Sequence, residues 1–178
     1  NRDPASVFIC AFTSLFIILN PLGGIITFIT LSHAMTDVEK LHIAKRSVII
    51  SCILALFFAL TGEAVLRLFH ITVDSLRVAG GILLFLIAID MLYARTSRER
   101  VTPEEIKDAS CREDFSVFPL AIPLLTGPGA ISTVIVVIKI GKTWELKAIT
   151  VFAIILTFVL TYFIFRFADR INKMLGLT

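Results

Sequence analysis

Two clusters of glycine and proline are the parts of this sequence best suited to chemistry. Residues 20–24 (Asn-Pro-Leu-Gly-Gly) and 126–130 (Thr-Gly-Pro-Gly-Ala) each interrupt an apolar stretch of membrane-spanning length. Proline lacks an amide hydrogen and glycine tolerates unusual conformations, so each cluster is expected to break a helix. Because hydrocarbon offers no hydrogen bonds, a broken helix must be buried in protein or line a polar cavity. Matched breaks in two halves of a membrane protein predict a transporter's binding site.

A half-helix that begins inside the membrane presents free amide hydrogens and about half a positive charge. We therefore expect amides around residues 23–24 and 129–130 to bind a solute carboxylate. The side chains of Asn20 and Thr126 are expected to hold an ammonium group or a coupling cation. The predicted substrate-binding residues are Asn20, Pro21, Gly23, Gly24, Thr27, Thr126, Gly127, Gly129, Ser132 and Thr133. The alternative is that the breaks are packing kinks and that Ser132 and Thr133 bond their own backbone.

Two acids inside apolar stretches, Glu63 and Asp90, are candidates for ion or proton coupling. Arg67 follows Glu63 by four residues, on the same helical face and near the end of the apolar run. An interfacial salt bridge with a snorkelling Arg67 is therefore the favoured interpretation. Asp90 lies about one turn from the end of its own run, where it is expected to balance the charge of Arg95.

The sequence has no pattern typical of an enzyme, a metal site or a cofactor site. Its three cysteines form no CxxC pair, its three histidines fall at the ends of apolar runs, and it has no Walker loop. The residues concerned are Cys10, Cys52, Cys111, His33, His42 and His70. We therefore expect no enzymatic activity and no cofactor.

The elements that must position the two clusters are membrane-spanning helices. Of 178 residues, 57% are hydrophobic and only 17% are charged, which is typical of an integral membrane protein. Since about 20 apolar residues cross the hydrocarbon, five spans are predicted. They cover residues 5–34, 47–69, 75–93, 115–140 and 146–165, and the first and fourth are broken.

The distribution of basic residues predicts the orientation, because basic loops resist crossing to the outside. Of the 17 Lys and Arg residues, 11 fall in the first loop, the 94–114 loop and the tail, and 6 fall on the other side. We therefore predict an inner-membrane, multi-pass protein with its N-terminus outside and residues 94–114 in the cytoplasm. This simpler explanation of the net charge of +3 argues against a nucleic-acid partner.

An internal repeat relates the two breaks. Pro21 and Pro128 are 107 residues apart, and the polar entry to span 2 resembles the entry to span 5 at nearly the same spacing. By this spacing, a sixth span is expected beyond residue 178. Three spans per repeat is an odd number, which predicts an inverted-topology pair. The predicted division is residues 1–93 for the first repeat, 94–114 for the loop and 115–178 for the incomplete second repeat.

The two broken segments, Asn20-Pro21-Leu22-Gly23 and residues 118–133 (FPLAIPLLTGPGAIST), closely resemble the MarC family of small integral membrane proteins. Residues 77–85 (RVAGGILLF) also look like that family's third span. The resemblance covers essentially the whole chain. It implies about six spans, a bacterial or archaeal inner-membrane location and, by similarity to SnatA-type members, transport of small neutral amino acids.

The leading hypothesis is therefore a secondary transporter that binds a small zwitterion where the two broken helices meet. The predicted partners are a small solute, a coupling ion such as H⁺ or Na⁺ and the lipid bilayer. The sequence leaves open whether the protein forms a homo-oligomer. The alternatives are a channel or exporter for another small solute, and a membrane scaffold that transports nothing.

Overall fold

The computed structural model describes residues 3–32, 35–92 and 116–168. These ranges contain helices and no strand: α1 (Pro4–Leu19), α2 (Pro21–Ser32), α3 (Asp37–Leu68), α4 (Val73–Leu92), a π-helix (Ser116–Leu125), α5 (Pro128–Ile138) and α6 (Trp144–Arg166). The prediction of an all-α protein is confirmed. The predicted loop at 94–114 and the tail from residue 169 lie outside the described residues.

Three stretches are long and apolar enough to cross a membrane: Pro4–Ile29, Asp37–Leu68 and Trp144–Arg166. They correspond to the predicted spans 1, 2 and 5, so the protein is a multi-pass membrane protein. Helix α4 occupies the predicted span 3, and the π-helix with α5 occupies the predicted span 4. That these two also cross the membrane stays a prediction.

Helix α3 begins well before the apolar run that predicted it, at Asp37 instead of residue 47. The cause is a capping box at its N-terminus. The Thr36 hydroxyl accepts the amide of Glu39 at 3.4 Å, and the Glu39 carboxylate accepts the amide of Thr36 at 2.8 Å. Because the cap satisfies the first amides, the helix can form in a polar segment that the hydrophobic pattern does not mark.

Small and hydroxyl-bearing residues line the buried faces of the two long helices. Six buried positions of α3 recur as buried positions of α6 with a constant spacing of 106 residues, from Ala44 and Thr150 to Ala59 and Phe165. Except for Ser51, the hydroxyls on these faces donate to carbonyls one turn earlier, as from Thr157 to Ala153 at 2.8 Å. Small residues with satisfied hydroxyls let neighbouring helices approach closely.

The helices pack crosswise between the two halves of the chain. Helices α1 and α2 pack on α6, whereas the π-helix and α5 pack on α3, and α4 packs on α5. Leu19, Leu125 and Ala130, which flank the two breaks, belong to one buried cluster. Helices α3 and α5 end where α4 and α6 begin; we call this the outer end, following the charge-based orientation.

Candidate functional site

The first break, at Asn20, is closed by its own residues. Asn20 has a left-handed backbone with φ of 45°, which asparagine tolerates better than most residues. Its amide donates to the carbonyl of Phe16 at 3.2 Å, and its carbonyl accepts the amide of Gly24 at 3.0 Å. Its side-chain Oδ1 accepts the amide of Gly23 at 3.2 Å. Asn20 thus caps α2, and the amides of both glycines are already bonded.

The two glycines of the first break are required by close neighbours. A Cβ at Gly23 would lie 2.5 Å from the Asn20 side-chain nitrogen, and one at Gly24 would lie 3.0 Å from the ring of Phe165 on α6. Pro21 is buried at the start of α2, and Thr27 is half-buried one and a half turns later. The first break is therefore a packed kink against α6.

The second break is held by α3 instead of by its own residues. Pro119 and Pro123 cannot donate amide hydrogens, and the segment that contains them is wound as a π-helix. The amide of Thr126 ends this helix by donating to the carbonyl of Ala121 at 2.9 Å. The buried hydroxyl of Thr126 donates to the carbonyl of Ser51 at 3.3 Å, and the Ser51 hydroxyl donates to the carbonyl of Ala121 at 3.4 Å.

The helix that follows the second break has no side-chain cap. Its N-cap is Gly127, with extended backbone, and Pro128 has no amide hydrogen. The amide of Ile131 donates to the carbonyl of Gly127 at 3.0 Å. No hydrogen bond within the described part of the chain occupies the amides of Gly129 and Ala130. Such amides at a helix N-terminus favour an anion.

A groove of about 330 Å³ runs from the outer end towards this helix N-terminus, between α1, α4 and α5. Leu76, Arg77 and Ile140 line its outer part, and Ile18 and Leu84 line its deep part. A Cβ at Gly129 would lie 3.0 Å from Leu84 and 3.9 Å from Ile18. The deep end of the groove is therefore next to the first turn of α5. Small-molecule pockets start at about 300 Å³, so this volume fits a small solute.

Small and polar side chains shape the middle of the groove. Ser14 of α1 and Ser132 of α5 line it, and no hydrogen bond between described residues occupies their hydroxyls. A Cβ at Gly80 would lie 3.1 Å from that of Ser132, so Gly80 allows α4 to approach α5 closely. A Cβ at Gly81 would meet nothing within 4 Å, so this glycine leaves the groove open. Thr133 also lines the groove, but its hydroxyl donates to the carbonyl of Gly129 at 2.8 Å.

The structure thus separates the predicted binding residues into two groups. Ser132 and Thr133 line the groove, and Gly129 lies against Leu84 at its deep end, whereas Gly127 is the N-cap of α5 and is not among the residues that line the groove. Among the described residues, those predicted at the first break do not line this groove, and Thr126 faces α3.

The two candidate coupling residues have different outcomes. Glu63 forms the expected salt bridge with Arg67 at 2.8 Å and a second one with Lys139 of α5. Two cations on one carboxylate favour a structural role at the outer end. Asp90 belongs to α4, but its side chain lies outside the described residues.

Sequence reasoning missed two residues at the groove and the second break, Ser14 and Ser51, and it missed the salt bridge of Lys139 with Glu63. The four-residue spacing of Ser47, Ser51, Ala55 and Ala59 signals a close helix contact, and Ser51 lies within it. The contact between Glu63 and Lys139 follows from both residues lying at the predicted outer ends of their spans. The role of Ser14 has no sequence signal, because it depends on how α1 packs against α5.

Three long apolar helices, packed with shorter ones around one core, define a multi-pass α-helical integral membrane protein. Comparison with known proteins identifies the group: the chain belongs to the MarC family of integral membrane proteins, whose profile matches residues 5–178. No solved structure matches the chain significantly.

Curated relatives cover most of the chain. The chain is 37% identical to a UPF0056 membrane protein of Methanocaldococcus jannaschii over 169 aligned residues. The alignment covers 95% of the chain and 82% of that relative. The chain is 34% identical to the UPF0056 membrane protein YvbG of Bacillus subtilis over 174 aligned residues. This alignment covers 97% of the chain and 82% of the relative. These names describe membrane proteins and give no substrate.

Proposed function

We propose that this protein is a secondary transporter for a small neutral amino acid or a similar small polar solute. The observation that carries the proposal is the uncapped N-terminus of α5 at the deep end of a groove that opens at the outer end. The solute carboxylate would bind the amides of Gly129 and Ala130, and the hydroxyls of Ser14 and Ser132 would bind its polar atoms. Such a half-helix N-terminus suits a carboxylate by both charge and hydrogen bonding.

An inverted repeat would provide the movement that transport needs. Two matches between the halves support it. Helices α2 and α5 begin at prolines 107 residues apart, and the threonine caps of α3 and α6, Thr36 and Thr143, have the same spacing. The broken segment of each half packs on the long helix of the other half. Rocking of one half against the other would then open the site to alternate sides.

Filling the groove tests the proposal. Gly81→Leu adds a side chain where a Cβ meets nothing within 4 Å, so the protein should fold while the groove narrows. We expect uptake of labelled alanine or glycine into proteoliposomes to fall at least about tenfold, the effect of losing about 1.4 kcal/mol of binding. Ala79→Leu is the matched control, because Ala79 is exposed on the same helix and is not among the residues that line the groove.

The outcomes separate the possible functions. Normal uptake by both variants would contradict the groove as the solute path. Absence of uptake in the wild-type protein for all small neutral amino acids would contradict the proposed substrate class. Sustained single-channel currents in a planar bilayer would identify a channel instead of a carrier.

A further inference from the structure

A second pocket, of about 400 Å³, lies at the outer end between α3, α5 and the start of α6. Its residues change in character along the helices. Leu60, Ile135 and Val151 provide apolar walls: Leu60 and Val151 lie about two turns from the helix ends, and Ile135 lies nearly one turn from the end of α5. Lys139 and Lys147 lie at the ends themselves, where α5 stops and α6 starts. The pocket is therefore apolar towards the hydrocarbon and cationic towards the water.

The charges around this second pocket do not balance. Glu63 is the acid that lines it, and this carboxylate is contacted by both Lys139 and Arg67. The ammonium of Lys147 lies 5.4 Å from the ring centroid of Trp144, in a cation–π contact. Three cations and one anion leave an excess of positive charge beside an apolar wall.

We propose that this pocket binds an anionic diacyl phospholipid. The headgroup phosphate would contact Lys147 and Lys139, and an acyl chain would lie along Leu60, Ile135 and Val151. Basic pockets between membrane helices bind anionic headgroups, and tryptophan and lysine are typical of the membrane interface. The lipid would bridge α3 of the first half to α5 and α6 of the second. This proposal does not depend on the proposed transport.

Trp144 makes the proposal directly measurable, because it is the single tryptophan in the sequence and its side chain is 87% exposed. Brominated acyl chains quench tryptophan fluorescence on contact. The purified full chain is reconstituted in vesicles that contain either brominated phosphatidylglycerol or brominated phosphatidylcholine at equal mole fraction. We expect stronger quenching by brominated phosphatidylglycerol than by brominated phosphatidylcholine. Each lysine that contacts the phosphate should raise the affinity for phosphatidylglycerol over phosphatidylcholine about fivefold.

Two matched variants separate a specific site from general attraction to an anionic surface. Lys147→Gln should lower the preference for phosphatidylglycerol about fivefold. Lys142→Gln removes the same charge from an exposed residue that is not among those lining the pocket, and it should leave the preference unchanged. Taking the ratio of the two lipids on one protein cancels any change in the brightness of Trp144.

Three outcomes would overturn the proposal. Equal quenching of the wild-type protein by the two lipids would mean that the pocket does not select an anionic headgroup. Equal losses in Lys147→Gln and Lys142→Gln would mean that general surface charge accounts for the preference. Weak quenching by both lipids would mean that protein, such as a second copy of the chain, covers Trp144.

Discussion

The two helix breaks differ in what occupies the first amides of the helix that follows. At the first break, Asn20 takes the amides of Gly23 and Gly24 through its side chain and its carbonyl. At the second, the corresponding cap residue is Gly127, which has no side chain to offer. Similar glycine-proline clusters therefore produce a closed kink in one half and an open helix N-terminus in the other.

The neighbours of the two breaks differ in the same sense. Gly24 lies against the ring of Phe165, which fills the space beside the first break. In the groove beside α5, no protein atom lies within 4 Å of a Cβ placed at Gly81 of α4. The neighbouring Gly80 lets α4 approach Ser132 of α5 closely. Two similar glycine-proline clusters thus differ in chemistry: the first is packed against α6 with its amides bonded, and the second leaves the amides of Gly129 and Ala130 without a partner among the described residues.

The largest expected effect comes from giving the second break the cap of the first. Gly127→Asn places an amide oxygen where it can accept the free amides of α5, and the extended backbone of Gly127 suits an N-cap. Because the side chain would then compete with the solute carboxylate, we expect uptake of labelled alanine to fall at least about tenfold. Stability should rise by only a few tenths of a kcal/mol, because glycine is itself an acceptable cap.

Gly127→Ala is the control for this experiment. It adds a Cβ without an oxygen, so uptake should stay close to that of the wild-type protein. Equal loss in both variants would show that bulk, and not the capping oxygen, blocks transport. Unchanged uptake in Gly127→Asn would contradict a carboxylate site at these amides.

The second prediction removes the cap of the first break. Asn20→Ala loses the bond to Gly23 and leaves a less tolerant residue in the left-handed region. We expect a loss of about 1–2 kcal/mol in the free energy of unfolding, seen as a lower thermal midpoint in detergent. Uptake per folded molecule should be unchanged, because the amides of this break are not proposed to bind the solute.

Asn20→Gly separates the two contributions at the first break. It restores the tolerance for a left-handed backbone but not the side-chain bond, and a glycine cap costs only a few tenths of a kcal/mol. We therefore expect Asn20→Gly to be more stable than Asn20→Ala. If Asn20→Ala lost uptake while keeping its stability, the first break would also be part of the site.

Local chemistry explains why the sequence predicts the positions of the breaks but not this difference. Pro21 and Pro128 have no amide hydrogen to donate to the preceding helix, so its backbone hydrogen bonds stop there and the new helices begin at these prolines. Whether the following amides stay free depends on the cap residue one position earlier. Asn20 caps its helix and Gly127 does not, and the sequence-based prediction treated the two alike.

Tertiary packing explains what the sequence could not provide. The pairing of Glu63 with Lys139 and the bond from Thr126 to Ser51 both join α3 to the second half of the chain. Hydrophobic lengths predict that these helices exist, but they do not determine which faces meet. The early start of α3 had a local signal, the threonine and glutamate of its capping box, which a hydrophobicity pattern passes over.

The smallest expected effect concerns how α3 holds the second break. Thr126→Val and Ser51→Ala each remove one hydroxyl, and the bonds concerned are long, at 3.3 Å and 3.4 Å. We expect each variant to lose about 0.5–1 kcal/mol of stability, the lower part of the range for a hydrogen bond. Thermal midpoints of the two single variants and the double variant in detergent measure these losses and their coupling.

The coupling between Thr126 and Ser51 should be small although the residues are in contact. The hydroxyl of Thr126 bonds the backbone carbonyl of Ser51, which is still present in Ser51→Ala, and the hydroxyl of Ser51 bonds Ala121. Each variant therefore leaves the other bond intact, and the coupling energy should stay below about 0.5 kcal/mol. A coupling above about 1 kcal/mol would mean that the two hydroxyls act together. A shared polar network with α3 would then hold the second break. The contrast with the first break, which is capped by its own residues, would be greater than two independent hydrogen bonds imply.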